Sequence, residues 1–124
     1  MQWQLVHLPD LGILEFSVSG TMTLDGIRDL VTAGVAASAR HGTNRILVDY
    51  RAIDLNLSAF DIYGLPDIER SIGGNRNRVA MIMPATTEAQ RDFQFYENRA
   101  VNTGTRRAVF RDRDAALAWL ADGS

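Results

Sequence analysis

Asp49 and Arg51 flank Tyr50 directly after the short apolar run Ile46-Leu47-Val48. A carboxylate and a guanidinium two residues apart can pair with each other or present opposite charges to a ligand, and a structural pair is the simpler arrangement. In parallel sheets ligands gather outside the carboxyl ends of the strands. Thr21, Asp49, Arg51, Ser58, Thr86, Thr87 and Arg111 all fall at expected strand ends, where following helix N-termini would suit an anion. Ser, Thr and Asp before helices are first of all caps, each worth about 1 kcal/mol. His7 lies in an expected edge strand and His41 at a helix end, predicted far apart and without helical ligand spacing, so no zinc site is expected. The absence of cysteine excludes disulfides, thiol catalysis and cysteine-ligated zinc. No serine lies in a nucleophile elbow, and no Ser, His and acid can be assigned together. Gly73-Gly74-Asn75-Arg76-Asn77-Arg78 lacks both phosphate-loop spacings and precedes a strand, so it reads as a helix stop. Arg45, Arg76 and Arg78 read as solubility charge, and the sequon Asn56-Leu57-Ser58 as chance. These residues predict no enzyme, no cofactor and no metal.

The least ordinary stretch is Ile53 to Tyr63, an apolar connection where connections are usually polar. Ile53, Leu55 and Leu57 alternate as in a short strand. Phe60 and Tyr63 fall off the helical stripe of Ile62 and Leu65, and Phe95 falls off that of Phe93 and Tyr96. Such residues can cover a sheet edge, line a small apolar pocket or make a subunit contact. With Asp49, Arg51 and Ser58 they are the candidate interaction or ligand residues.

The elements that must position these side chains follow from periodicity and punctuation. Strands are predicted near residues 3–8, 13–18, 46–50, 79–83 and 107–110, the first two joined as a hairpin by Pro9-Asp10-Leu11-Gly12. Thr23 caps a first helix whose face is Leu24, Ile27, Val31, Gly34, Val35 and Ser38, and Gly42 stops it. Ser58 caps a second, with a kink or restart expected at Pro66. A third helix is predicted from a capping box at Thr87 and Gln90, with Phe93, Tyr96, Ala100 and Val101 as its core stripe. Asp112 caps a fourth, with Ala116, Leu117 and Leu120 facing inward. The order β-β-α-β-α-β-α-β-α calls for one α/β layered domain over residues 1–124, its five-stranded sheet mostly parallel with an antiparallel first strand.

Composition agrees: 46% apolar and 23% charged residues are globular values, and a net charge of −2 argues against nucleic acid. No stretch approaches the ~20 apolar residues of a membrane span. The first residues do not form a signal peptide, so a cytoplasmic location is expected.

Gly20-Thr21-Met22-Thr23, Ile46-Leu47-Val48-Asp49, Val79-Ala80-Met81-Ile82 and Val109-Phe110-Arg111-Asp112 running into Ala115 to Leu120 carry a further signal. On these packing motifs the chain resembles the STAS-type domain of anti-sigma-factor antagonists. More closely, it resembles the SpoIIAA-like and STAS/SEC14 small bacterial proteins. The resemblance implies sequential parallel βα units after an antiparallel first strand, and a noncatalytic protein-interaction or regulatory module. In STAS antagonists an Asp-Ser pair opens the second helix, and a partner kinase phosphorylates its Ser. Ser58 matches that Ser, but Leu57 replaces the Asp and Ala59-Phe60 the usual small continuation, which favours a cap over a phosphoswitch. The SEC14-like side implies the alternative, a carrier or sensor of a small apolar, lipid-like ligand under the 53–66 segment. The expected partner is a protein, either another copy in a homodimer or a different chain.

Overall fold

The structure, a computed structural model, describes residues 1–122. β1 (Gln2–Leu8) and β2 (Ile13–Thr21) form the antiparallel hairpin. Its turn closes through the Leu11 amide on the Leu8 carbonyl at 3.1 Å, with Gly12 in the left-handed region at φ 65°. After it come α1 (Leu24–His41), β3 (Arg45–Asp54), α2 (Ala59–Ile72), a 3₁₀ turn at Gly74–Arg76 and β4 (Arg78–Ile82). α3 (Thr87–Asn102), β5 (Arg107–Phe110) and α4 (Arg113–Ala121) complete the order. The sheet runs β1-β2-β3-β4-β5, with β2 to β5 parallel, as expected.

Alternation along the strands divides the core in two. Phe16, Val48, Tyr50 and Met81 point to α1, α2 and α3, which share one face of the sheet because successive right-handed crossovers advance in one direction. Ile13, Leu47, Ala80 and Ile82 point to α4 on the other face, where Ala116 and Leu120 are fully buried. α4 has nine residues, about 14 Å of helix, and covers only part of that face. Ser17 and Gln4 remain exposed there, and Glu15, Ser19 and Asp49 half-buried.

Several elements depart from expectation. β3 continues five residues past Asp49, so Ile53 belongs to β3 itself, neither to a loop nor to a separate short strand with Leu55 and Leu57. α2 runs unbroken through Pro66. The proline costs roughly 3 kcal/mol in a helix interior, but it is itself fully buried with Ile62 and Leu65 against the core, and that packing holds the helix together. The buried face of α1 is Ile27, Leu30, Gly34 and Ala37, turned away from Val35 and Ser38. Gly34 faces the sheet: a Cβ there would lie 3.5 Å from Ile46 Cδ1, an ordinary packing distance. The cap of α3 is Thr86, whose hydroxyl accepts from the Ala89 amide at 3.3 Å, and Thr87 is already helical. Val101 is exposed and not part of the core stripe. No helix among the described residues is long and apolar enough to cross a membrane.

Candidate functional site

The extension of β3 past Asp49 depends on a bulge. Ser17 pairs with Asp49 and Ser19 with Ala52, so Tyr50 and Arg51 together oppose the single residue Val18. A bulge leaves a backbone group without its ladder partner. Asp49 supplies one: its Oδ1 accepts from the Arg51 amide at 3.0 Å, while Arg51 Nε and Nη2 reach the same carboxylate at 3.0 and 2.7 Å. Burial works against charge on Asp49, but the Arg51 hydrogen bonds outweigh it and hold the carboxyl below its usual range. Asp49 and Arg51 therefore pair, but in mid-sheet on the α4 side and not at a strand end. Beside them Arg113 grips Glu15 through Nε and Nη2 at 3.1 and 2.8 Å and ties the start of α4 to β2. The Asp49–Arg51 pair borders a shallow groove of about 350 Å³, which Gln2, Trp3, Gln4, Ser17 and Ser19 also line. Its volume is that of a small-molecule site, and its groups are hydrogen-bonding amides and hydroxyls around a neutralised charge pair.

The remaining predicted residues separate into three environments. Ser58 is the cap of α2: its Oγ accepts from the Asp61 amide at 3.1 Å and the Asp61 carboxylate accepts from the Ser58 amide at 3.3 Å. Leu55 and Leu57 are half-buried against the core under α2. Leu55 also lines a cavity of about 60 Å³ with Met22, Ile62, Met81 and Phe93. Phe60, Tyr63 and Phe95 turn outward: Phe60 is 86% exposed, Tyr63 52% and Phe95 39%. They stand on two helices that pack on each other, joined by Arg99 of α3, whose guanidinium lies 4.3 Å from the centroid of the Tyr63 ring and pairs with Asp67.

The sequence reading missed a buried network beside the cavity. Arg107, at the start of β5, donates from Nε and Nη2 to Glu69 Oε2 on α2 at 3.1 and 3.0 Å. Nε also reaches the Tyr96 hydroxyl on α3, which donates to Glu69 Oε1 at 2.5 Å. The remaining donors go to the carbonyls of Asn77, Arg106 and Gly74 at 2.6, 3.0 and 2.7 Å. Every edge of the guanidinium is thus occupied. Burial, and after it the Glu69 charge, pushes the Tyr96 hydroxyl well above its ordinary range. Tyr50 is raised for the same two reasons in the same order. Nothing local marks these residues: Glu69 sits at a plausible solvent position of a helix, and Arg107 opens a strand.

Two expectations fail here. His7 and His41 are not far apart; their rings stack with centroids 4.1 Å apart, because the C-terminal end of α1 returns beside the hairpin end of β1. His41 also accepts from Arg40 Nε at 3.4 Å. Burial first, then the His7 ring and Arg40, lowers its pKa below the usual histidine value. Arg78 is not solubility charge: it is 7% exposed, stacks 3.7 Å from the Trp119 ring centroid and donates to the Trp119 carbonyl at 2.6 Å. Among the described residues no three His, Cys, Asp or Glu side chains gather as metal ligands. No family model matches the chain, and no curated protein matches it.

Proposed function

We propose that this chain is a noncatalytic protein-interaction or regulatory module of the STAS/SpoIIAA-like kind, and that a protein partner docks on the outer faces of α2 and α3. The observation that carries this is the placement of Phe60, Tyr63 and Phe95. Three aromatic side chains stand exposed on adjacent helices, although large apolar groups in that number seldom stay in water without a use. The setting suits a docking face, since aromatic and Arg side chains are the usual anchors of interfaces, and Arg99 lies over Tyr63. The buried ion pair beneath is fully engaged, which supports a rigid platform. The Ser58 hydroxyl is committed to the α2 cap, which supports a surface that is always presented and not one gated by phosphate.

The test is a photo-crosslinking residue placed at position 60 in the cells that make the protein, with position 25 on α1 as the control. A single adduct specific to position 60 is expected, and the purified partner should bind the chain and lose affinity on Tyr63→Asp. Equal labelling from both positions, or binding indifferent to Tyr63→Asp, would reject the docking face.

A second reading, the carrier of a small apolar ligand, draws on the cavity that Leu55 lines. At about 60 Å³ it is far below the roughly 300–1,000 Å³ of ordinary ligand sites. A lipid-like occupant therefore requires α2 to move off the sheet. Native mass spectrometry of the purified chain separates the readings: a retained lipid mass favours the carrier, and the bare chain mass favours the interaction module.

A further inference from the structure

The two edges of the sheet are treated differently by the sequence. An edge strand presents a row of unpaired N–H and C=O groups and invites another strand unless something blocks it. β5 is blocked: it has four residues, and Glu97 Oε2 on α3 accepts from the outward Val109 amide at 2.7 Å. β1 is not. It is seven residues long, and Gln2 to Leu8 contain no Asp, Glu, Lys, Arg or Pro, the residues that usually guard an edge. Among the described residues no side chain bonds to its backbone, and beyond its ladder with β2 only the Leu11 amide of the turn reaches it, at Leu8.

We propose that two copies of this chain pair through β1, antiparallel about a two-fold axis at Leu5, and join their sheets into one continuous sheet. This goes beyond the docking face proposed above, because it assigns a different surface to self-association. In that register Leu5 meets its own copy, Gln4 faces Val6, Trp3 faces His7 and Gln2 faces Leu8. No like charges oppose one another, and the Trp3–His7 pairs add aromatic cross-strand contact on the α1 side. The arrangement also closes. Each β1 edge is consumed, the outermost strands become the two blocked β5 edges, and growth stops at two, as a symmetric isologous interface requires. The α2–α3 faces stay free, so the dimer would present its docking surface twice.

Sedimentation velocity of the full chain at neutral pH should give twice the 13.7 kDa chain mass. Gln4 and Val6 are exposed on the groove side of β1 and can carry charge without disturbing the core. Gln4→Lys with Val6→Lys sets lysine against lysine and should give a folded monomer, judged by an unchanged circular dichroism spectrum. Gln4→Glu with Val6→Glu should do the same, and mixing the two variants should restore a dimer, because each lysine then faces a glutamate. Phe60→Asp should leave the dimer intact. A wild-type chain that stays monomeric at high micromolar concentration overturns the proposal. So does a lysine variant that remains dimeric, or a mixture that fails to reassociate. Loss of the dimer on Phe60→Asp would overturn it by placing the contact on α2 and α3.

Discussion

At the scale of single residues, Asp49 and Ser58 show what local chemistry reveals and what it hides. Ser58 was legible because a cap is a local device: a small hydroxyl residue three positions before Asp61 at the entry to an apolar stripe. The pairing of Asp49 with Arg51 was equally legible, but its purpose was not. The carboxylate serves the amide that the β3 bulge sets free, and nothing in a single strand announces where its neighbour will slip register. The role predicts a pH signature. A carboxyl held below its usual value contributes stability that is fully present above the unfolded-state value and lost as pH falls through the folded one. Asp49→Asn keeps an acceptor for the amide but loses the ion pair, and should cost about 1 kcal/mol at neutral pH. Denaturant melts of both proteins should converge in acid. A constant gap from neutral to acid would mean that the carboxylate charge contributes nothing to the bulge.

At the scale of elements, periodicity carried the identity and order of strands and helices, and failed where tertiary contacts decide. The buried face of α1 is decided by what it packs on, with Ile46 and Phe16 beside Gly34, contacts far apart in sequence. α2 passed through Pro66 because burial outweighed the backbone penalty. The stacking of His7 on His41 was invisible for the same reason: it joins the first strand to the end of the first helix. That junction should respond to pH. A histidine whose pKa is lowered by folding resists protonation in the native state, so the unfolded chain takes up the proton first. Stability is therefore greatest above the ordinary histidine range and falls as pH drops through it toward the folded-state value. His7→Phe keeps a ring in the stack and removes its charge. An NMR titration should show His41 moving part of the way back toward its usual value, since burial and Arg40 remain. An unmoved His41 would show that the two rings do not interact electrostatically.

At the scale of the whole molecule, the Glu69–Tyr96–Arg107 network holds together what the sequence presents as separate units. It joins α2, α3, β5 and the turn before β4, and through Glu69 it borders the cavity beneath the aromatic face. A buried pair attracts strongly but must offset the desolvation of both charges, so removing one partner is far costlier than removing both. Glu69→Leu or Arg107→Met alone should each cost about 3–5 kcal/mol in urea unfolding, because the opposite charge stays buried without its counterpart. For an isolated pair, Glu69→Leu with Arg107→Met would recover nearly all of that. Here it should not. Arg107 also satisfies the Asn77 carbonyl, whereas those of Gly74 and Arg106 keep the backbone amides of Asn77 and Val79, and an unsatisfied buried acceptor costs about 1–3 kcal/mol. The double variant should therefore fall between the single variants and the wild type, and the four proteins form a cycle in which the coupling energy is large but incomplete. Full recovery would reduce the network to a replaceable ion pair. A double variant no better than the singles would place its main contribution in the Asn77 carbonyl, with Arg107 acting as the clamp between β5 and the 3₁₀ turn and Glu69 as its counter-ion.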